Sequence, residues 1–343
     1  MKKFIILASI FISLTAFTIA VNKGNDEQVQ KAVNKSLALL QSSSHTFLHN
    51  AQTCHSCHSN AHSAITFAMA KEKGFAVYDN ILQENIDSII RTPIFDGYDL
   101  VQMKRDAVEN NDFGPGNNPA AIANGYDLWA LSVNHYILPK TQQLQVINLM
   151  RRQTVQGCWT DPNPRPPLEY YSFTATALIL KAMKEYPLPG LQKEIAERTK
   201  LAETWLTQTE AKTNEEKIFQ VLGLTWTNGD KKFIQQQAAK LLKEQREDGG
   251  WSQLYSLQPD AYATGQSLYA LYTCGQLKTD DAAYQKGIDF LLKTQYDDGS
   301  WNVQTRTYPF LPYVYSGFPH DDNQFISASG TNWATMALLE AVK

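Results

Sequence analysis

Two of the four cysteines and two of the seven histidines fall in the five residues Cys54-His55-Ser56-Cys57-His58. Cys54, Cys57 and His58 form Cys-x-x-Cys-His, the attachment pattern of a c-type haem. Two thiols three positions apart can each bond one vinyl group of the same porphyrin, and the histidine that follows is then held beneath the iron as its proximal ligand. His45, His49 and His62 stand close by, so five of the seven histidines lie within eighteen residues. A Cys-x-x-Cys pair can also make a redox disulfide or half of a zinc site. No second pair follows at zinc-finger spacing, and using His58 with His62 would crowd four ligands into nine residues. A thioredoxin-like disulfide wants a strand before it and a parallel sheet around it, and no such pattern is visible. Covalent haem leads, with a dithiol and another metal behind it.

A second ligand to that iron is expected from the far end of the chain. The stretch from Asp297 to Gln324 is long for a connection and carries Pro309, Pro312 and Pro319 together with His320, Asp321 and Asp322. If the helices close into a ring, this stretch comes beside the haem motif, which makes His320 the candidate distal metal ligand or a proton donor next to it. His62, one helical turn from His58, projects from the same face and reaches the opposite side of the iron poorly. His49 and Met103 are alternatives. A plain structural role for His320, capping the last helix or pairing with Asp322, competes with all of these.

The surroundings bear on the chemistry. Residues 1–20 read as a signal peptide: Met1-Lys2-Lys3, an apolar run from Phe4, and small residues ending at Ala20. The expected mature protein is periplasmic or secreted, where disulfides persist and c-type haem is assembled, with no stable membrane span after cleavage. A net charge of -3 with both signs interspersed leaves no basic stripe for nucleic acid and no basic amphipathic helix for a lipid surface. Sixteen tyrosines, fifteen phenylalanines and seven tryptophans are enough to line a cavity or to pack helices together.

The elements that must hold these residues emerge from an internal repeat. Gln245-Arg246-Glu247-Asp248-Gly249-Gly250-Trp251 recurs as Gln295-Tyr296-Asp297-Asp298-Gly299-Ser300-Trp301. A degenerate copy spans Gln153 to Trp159 and a weaker one Trp205 to Gln208. Each full copy closes a helical stretch, with Gly at the left-handed C-cap and Trp folding back over the helix. Charged first helices are expected at Glu27–Gln41, Leu100–Glu109, Gln142–Gln153, Leu191–Leu206, Lys231–Glu244 and Tyr284–Thr294. Second helices, nearly uncharged, are expected at Ser59–Lys73, Ala120–Tyr136, Tyr171–Tyr186, Glu215–Trp226, Ala261–Gly275 and Phe325–Val342. Six outer and six inner helices imply an all-α single domain over residues 21–343, a closed ring of about six hairpins or, failing closure, an open solenoid.

The Gln-x-x-Asp-Gly-Gly/Ser-Trp turns resemble the repeats of the squalene-hopene cyclase and protein prenyltransferase superfamily, whose fold is an α/α toroid. Cys57-His58 with its Ala-rich helix, Arg165-Pro166-Pro167-Leu168-Glu169 with Phe173-Thr174-Ala175-Thr176, and Ser316-Gly317-Phe318-Pro319-His320 with Gln324-Phe325-Ile326-Ser327 resemble an exported bacterial branch of it. The resemblance implies a hydrophobic, isoprenoid-like ligand. The Asp-x-Asp-Asp acid of class II terpene cyclases is absent, so alkene protonation lacks its polarised carboxyl, and the prenyltransferase zinc set is not recognisable. The leading function is therefore a toroid with one covalent haem c and a redox partner. The alternatives are a hydrophobic-ligand protein with a structural dithiol and a non-catalytic scaffold. Cys158 and Cys274 read as inert thiols, His135 as a satisfied core histidine, and Glu169 and Asp260 as carboxylates stabilising helix N-termini.

Overall fold

The computed structural model describes residues 2–51, 56–91, 121–161, 165–307 and 314–342, with side chains from Asp26 onward. Twelve α-helices run through them. They are α1 (Lys2–Ala51), α2 (His62–Glu72), α3 (Asp79–Arg91), α4 (Ala121–Val133), α5 (Lys140–Arg151) and α6 (Ser172–Glu185). The chain continues through α7 (Gln192–Gln208), α8 (Asn214–Trp226), α9 (Lys231–Leu242), α10 (Ala261–Thr273), α11 (Ala282–Thr294) and α12 (Gln324–Ala341).

The helices α2, α4, α6, α8, α10 and α12, whose residues are mostly buried, form an inner ring in which each packs on the next, and α12 returns to α2. Closure is made by side chains. Thr66 Oγ1 donates to Asn332 Oδ1 at 2.7 Å, Asn332 Nδ2 donates to Ser63 Oγ at 3.2 Å, and Thr335 Oγ1 donates to Ser36 Oγ at 2.8 Å. The closest approach within the ring, α10 on α12, needs Gly265, where a Cβ would lie 2.5 Å from the Ala334 nitrogen. The result is an α/α toroid and not an open solenoid.

The repeat turns fasten the outer helices to one another. Gln245 Nε2 donates to Gly249 O at 2.9 Å and across to Ala283 O on α11 at 2.8 Å. Gln295 Nε2 does the same with Gly299 O at 3.1 Å and with Ala32 O on α1 at 2.9 Å. Gln153 bonds Gly157 O and Arg198 O on α7, each at 2.8 Å, so the degenerate copy is a full structural equivalent. The three glycines have φ of 93°, 91° and 99°, and a Cβ on any of them would strike the backbone of the next outer helix. Trp251, Trp301 and Trp159 are fully buried, and each indole N–H donates to the carbonyl ten residues upstream: Leu241 (2.9 Å), Leu291 (2.9 Å) and Leu149 (2.6 Å).

Several expectations are corrected. The first outer helix does not stop at Gln41 but runs to Ala51, carrying His45 and His49. An unexpected helix, α3, packs on α1, α2 and α4 through Ile86 and Ile89. The stretch Leu100–Glu109, with Met103, lies outside the described residues. The weak copy at Trp205 to Gln208 has no glycine turn, and Gln220 Nε2 caps Leu206 O (2.5 Å) and Thr209 O (3.2 Å) instead. His135 is no core residue; it is exposed in a left-handed turn after α4, with φ of 57°. Cys158 and Cys274 are free thiols, as expected.

Candidate functional site

Cys57 and His58 open a one-turn π-helix, Cys57–Ala61, that leads into α2. The turn is locked by reciprocal bonds: Ser59 N donates to Ser56 Oγ at 2.9 Å, and Ser56 N donates to Asn60 Oδ1 at 2.9 Å. Asn60 Nδ2 then bonds Asn85 Oδ1 at 2.8 Å and Ser44 O at 3.2 Å, tying the turn to α3 and α1. Cys54 and His55 lie outside the described residues, so the pairing of Cys54 with Cys57 in one motif stays a statement about the sequence.

Cys57 points at a partner 112 positions away. Its Sγ donates to Glu169 Oε1 at 2.8 Å. Glu169 is presented by a tight turn in which Arg165 and Glu169 exchange both backbone bonds, at 3.3 and 3.0 Å, and Arg165 Nη1 holds Oε2 at 3.3 Å. Glu169 therefore faces the thiol and does not cap α6, whose N-cap residue is Tyr171. His58 Nδ1 lies 4.0 Å from Cys57 Sγ, and the imidazole packs between Phe47 and Phe325 at 6.1 and 5.7 Å. Burial, aided by Arg165, holds His58 neutral, its pKa lowered to about 3. Burial and the neighbouring Glu169 push the Cys57 thiol well up. The Cys57, His58 and Glu169 donor atoms all lie within 4.8 Å of one another, and all three residues are buried. A second trio, His45, His49 and Glu84, is half-exposed on α1 and α3, where His45 Nδ1 meets Glu84 Oε2 at 2.6 Å.

The same end of the ring carries a polar set that the sequence reading did not single out. Glu215, the second residue of α8, accepts from Thr174 Oγ1 at 3.1 Å, and burial pushes its pKa up to about 8. Tyr262 and Gln266 on α10 lie beside it. Glu215, Tyr262 and Gln266 interact with one another, and Tyr126 with Trp333, but Glu215 Oε2, the two hydroxyls and the Gln266 amide make no well-formed hydrogen bond. On the rim, Asp260 caps α10 through Ala263 N (2.8 Å) as expected, and burial lifts its pKa to about 6. Gln253 links Asp260 (2.9 Å) to Arg306 (2.8 Å), and Arg306 reaches Tyr171 Oη at 3.4 Å.

Deeper along the inner helices an aromatic floor closes the ring. Trp333 meets His62 at 4.7 Å, Tyr269 at 5.5 Å, Trp129 at 6.0 Å and Phe219 at 6.4 Å between centroids. His62 packs in this floor, with Nδ1 on Ser329 Oγ at 3.1 Å and Nε2 buried without a hydrogen-bond partner. His320 sits at the last repeat turn: its Nε2 bonds Ser300 Oγ at 2.8 Å and its ring stacks edge-on with Tyr296 at 5.1 Å. Phe325, the residue just beyond the stretch from Asp297 to Gln324, packs on the His58 ring at 5.7 Å. The missed residues carry one retrospective signal, a second carboxylate (Glu215) in the first turn of α8 beside Glu216, which is already used in the capping box with Thr213.

Residues 193–343 match the profile of the squalene-hopene cyclase C-terminal domain family. Over 99 residues the chain is 35% identical to the squalene–hopene cyclase of Zymomonas mobilis, a stretch covering 29% of this chain and 14% of that protein. The match thus spans a small part of that relative's length. Among solved structures, a variant of the type II terpene cyclase MstE from Scytonema, in complex with geranylgeranyl dihydroxybenzoate, superposes with a TM-score of 0.56 at 16% identity, covering 93% of this chain and 99% of that one. Another MstE variant, holding merosterolic acid A, gives 0.54 at 14% identity, with 93% and 99% covered. At such identities the likeness is one of fold: the chain is a squalene-cyclase-like toroid.

Proposed function

We propose that this squalene-cyclase-like toroid is an exported protein that holds a hydrophobic, isoprenoid-like small molecule at the mouth of its ring, with Cys57, His58 and Glu169 as the reactive edge. The observation that carries the reading is the layering of the interior. Polar groups from α4, α8 and α10, namely Tyr126, Glu215, Tyr262 and Gln266, lie next to the aromatic cluster of Trp129, Trp333, Tyr269 and Phe219, whose Trp333 indole N–H also lacks a well-formed bond. Such a site suits a ligand with an apolar body and a hydrogen-bonding end. The geranylgeranyl substrate of the MstE structure is of that kind. The closing experiment is fluorescence titration of the purified chain with geranylgeraniol, read through the floor tryptophans. Saturable quenching at one site per chain is expected, and its absence would remove the reading.

A second reading is covalent haem c on Cys54 and Cys57, with His58 as proximal ligand, His320 as the second metal ligand and a redox partner outside. It is favoured by the imidazole of His58, held neutral as an iron ligand must be, directly beside Cys57. Against it, a thioether at Cys57 would abolish the donor that Glu169 accepts from at 2.8 Å. That would leave a buried carboxylate facing a sulfur with no proton. When bound, haem would supply one-electron chemistry. A visible spectrum of protein made in a host with c-type maturation decides: a sharp reduced band surviving acid-acetone extraction would establish the haem, and a colourless protein would eliminate it.

A further inference from the structure

We propose that Cys57, His58 and Glu169 form a buried mononuclear site for a divalent, zinc-class metal ion. Three donors of three types, Sγ, Nδ1 and a carboxylate oxygen, converge from two elements that the sequence separates by more than a hundred positions, and their ligand atoms lie within 4.8 Å of one another. Zinc bonds sulfur at about 2.3 Å and nitrogen or oxygen at about 2.0–2.2 Å, so on binding Sγ and Oε1, now 2.8 Å apart, spread and the imidazole, now 4.0 Å from Sγ, draws in. The mixed thiolate, imidazole and carboxylate set suits zinc and disfavours magnesium or calcium, which want oxygen alone.

The surroundings are arranged around the donors. Arg165 engages the far oxygen of Glu169, at 3.3 Å, and so orients the carboxylate with Oε1 towards Cys57. Phe47 and Phe325 fix the His58 ring plane. The amide lock of Ser56, Asn60 and Asn85 fixes the backbone that carries both Cys57 and His58. On binding, the ion replaces the proton between Sγ and Oε1. Cys57 releases one proton to solvent, and thiolate and carboxylate together neutralise the two positive charges. Among the described residues three supply ligands, and a tetrahedral zinc takes one more. The site stands independently of what lies on the aromatic floor, and it excludes a thioether at Cys57.

The test is elemental analysis and cobalt(II) substitution of the full chain, purified without chelator and then titrated with zinc. One zinc per chain is expected. In the cobalt form, a thiolate-to-metal charge-transfer band is expected that vanishes in Cys57→Ser. Glu169→Gln keeps the size and the acceptor and loses the charge, and should weaken zinc binding more than about 100-fold, above the 10–100-fold cost of losing an outer-shell partner. His49→Ala, which disrupts the half-exposed trio, and Cys158→Ser should leave stoichiometry and affinity unchanged. If Cys57→Ser does not fold, as judged by circular dichroism, Glu169→Gln carries the decision. Sub-stoichiometric metal in the wild type, full retention in Glu169→Gln, loss in His49→Ala, or a haem spectrum would each overturn the assignment. Failure to bind geranylgeraniol while zinc stays bound would remove the ligand reading alone.

Discussion

The turn at 245–251 and the turn at 165–169 both lie between an outer and an inner helix, but they use their polar side chains in opposite ways. In the first, the side chains hold the ring together: Gln245 spans two backbone carbonyls, Asp248 Oδ1 accepts from Gly250 N at 3.0 Å, and Trp251 closes on Leu241. In the second, Glu169 is turned inwards, where one oxygen accepts from the Cys57 thiol and the other is held by Arg165. One turn spends its side chains on backbone carbonyls of neighbouring outer helices, and the other spends its carboxylate on a thiol that can ionise or bind a metal.

The contrast breaks most visibly at the tryptophans. Trp251→Ala or Trp301→Ala should cost about 3–5 kcal/mol in a urea unfolding series, as deletion of a large buried aromatic does. Glu169→Gln should cost under about 1.5 kcal/mol, since it keeps an acceptor near Cys57 and loses one ion pair. Equal losses in the two turns would erase the distinction. Next in size is Gly299→Ala, expected to cost about 1–3 kcal/mol because it forces alanine to φ of 91° against the Lys35 carbonyl.

A pH effect sharpens the comparison from the other side. Glu215 has a folded pKa of about 8 against an ordinary 4.5, so the folded chain holds a proton that the unfolded chain has lost. Stability should therefore fall as pH rises through this window, by up to about 1.4 kcal/mol per pH unit. His58 and His62, lowered to about 3, act in the opposite sense, adding stability as pH rises towards and through 6.5, whereas Asp260, raised to about 6, acts in the same sense as Glu215 at lower pH. The difference in urea midpoint between the wild type and Glu215→Gln, followed from pH 6.5 to 8, removes the shared contributions: the wild type should lose ground to the variant as pH rises. The smallest effect is expected at His320→Ala, which loses one bond to Ser300 Oγ and should cost about 0.5–1.5 kcal/mol. In a haem-loaded protein, a changed spectrum in this variant would instead put the imidazole on the iron.

Most of the ring could be read from the sequence, because the turn that builds it repeats as Gln, Asp, Gly and Trp at fixed offsets. Gln153 to Trp159 shows that even a degenerate copy keeps the bonds of a full one. The helix α3 was overlooked although Ile81, Leu82, Ile86, Ile89 and Ile90 recur at helical spacing. The site was half legible. Cys57 and His58 announce themselves by spacing, whereas Glu169 was read as a helix-end carboxylate because nothing local says which way it turns. Glu215, Tyr262 and Gln266 sit on helices whose residues are buried on nearly every side. Without a polar face to set the phase, the sequence does not reveal which side chains look down the axis.

The bond from Gln295 to Ala32 has a consequence for how the molecule comes apart. In an open array of hairpins the terminal unit has one neighbour and melts first, so unfolding creeps inwards from an end. Here the turn of the last hairpin grips the first outer helix through the same contact that joins α9 to α11, and every hairpin has two neighbours. Opening any one of them first breaks two interfaces, so amide hydrogen exchange across the inner helices should approach a single common free energy, without the graded protection of an unclosed stack.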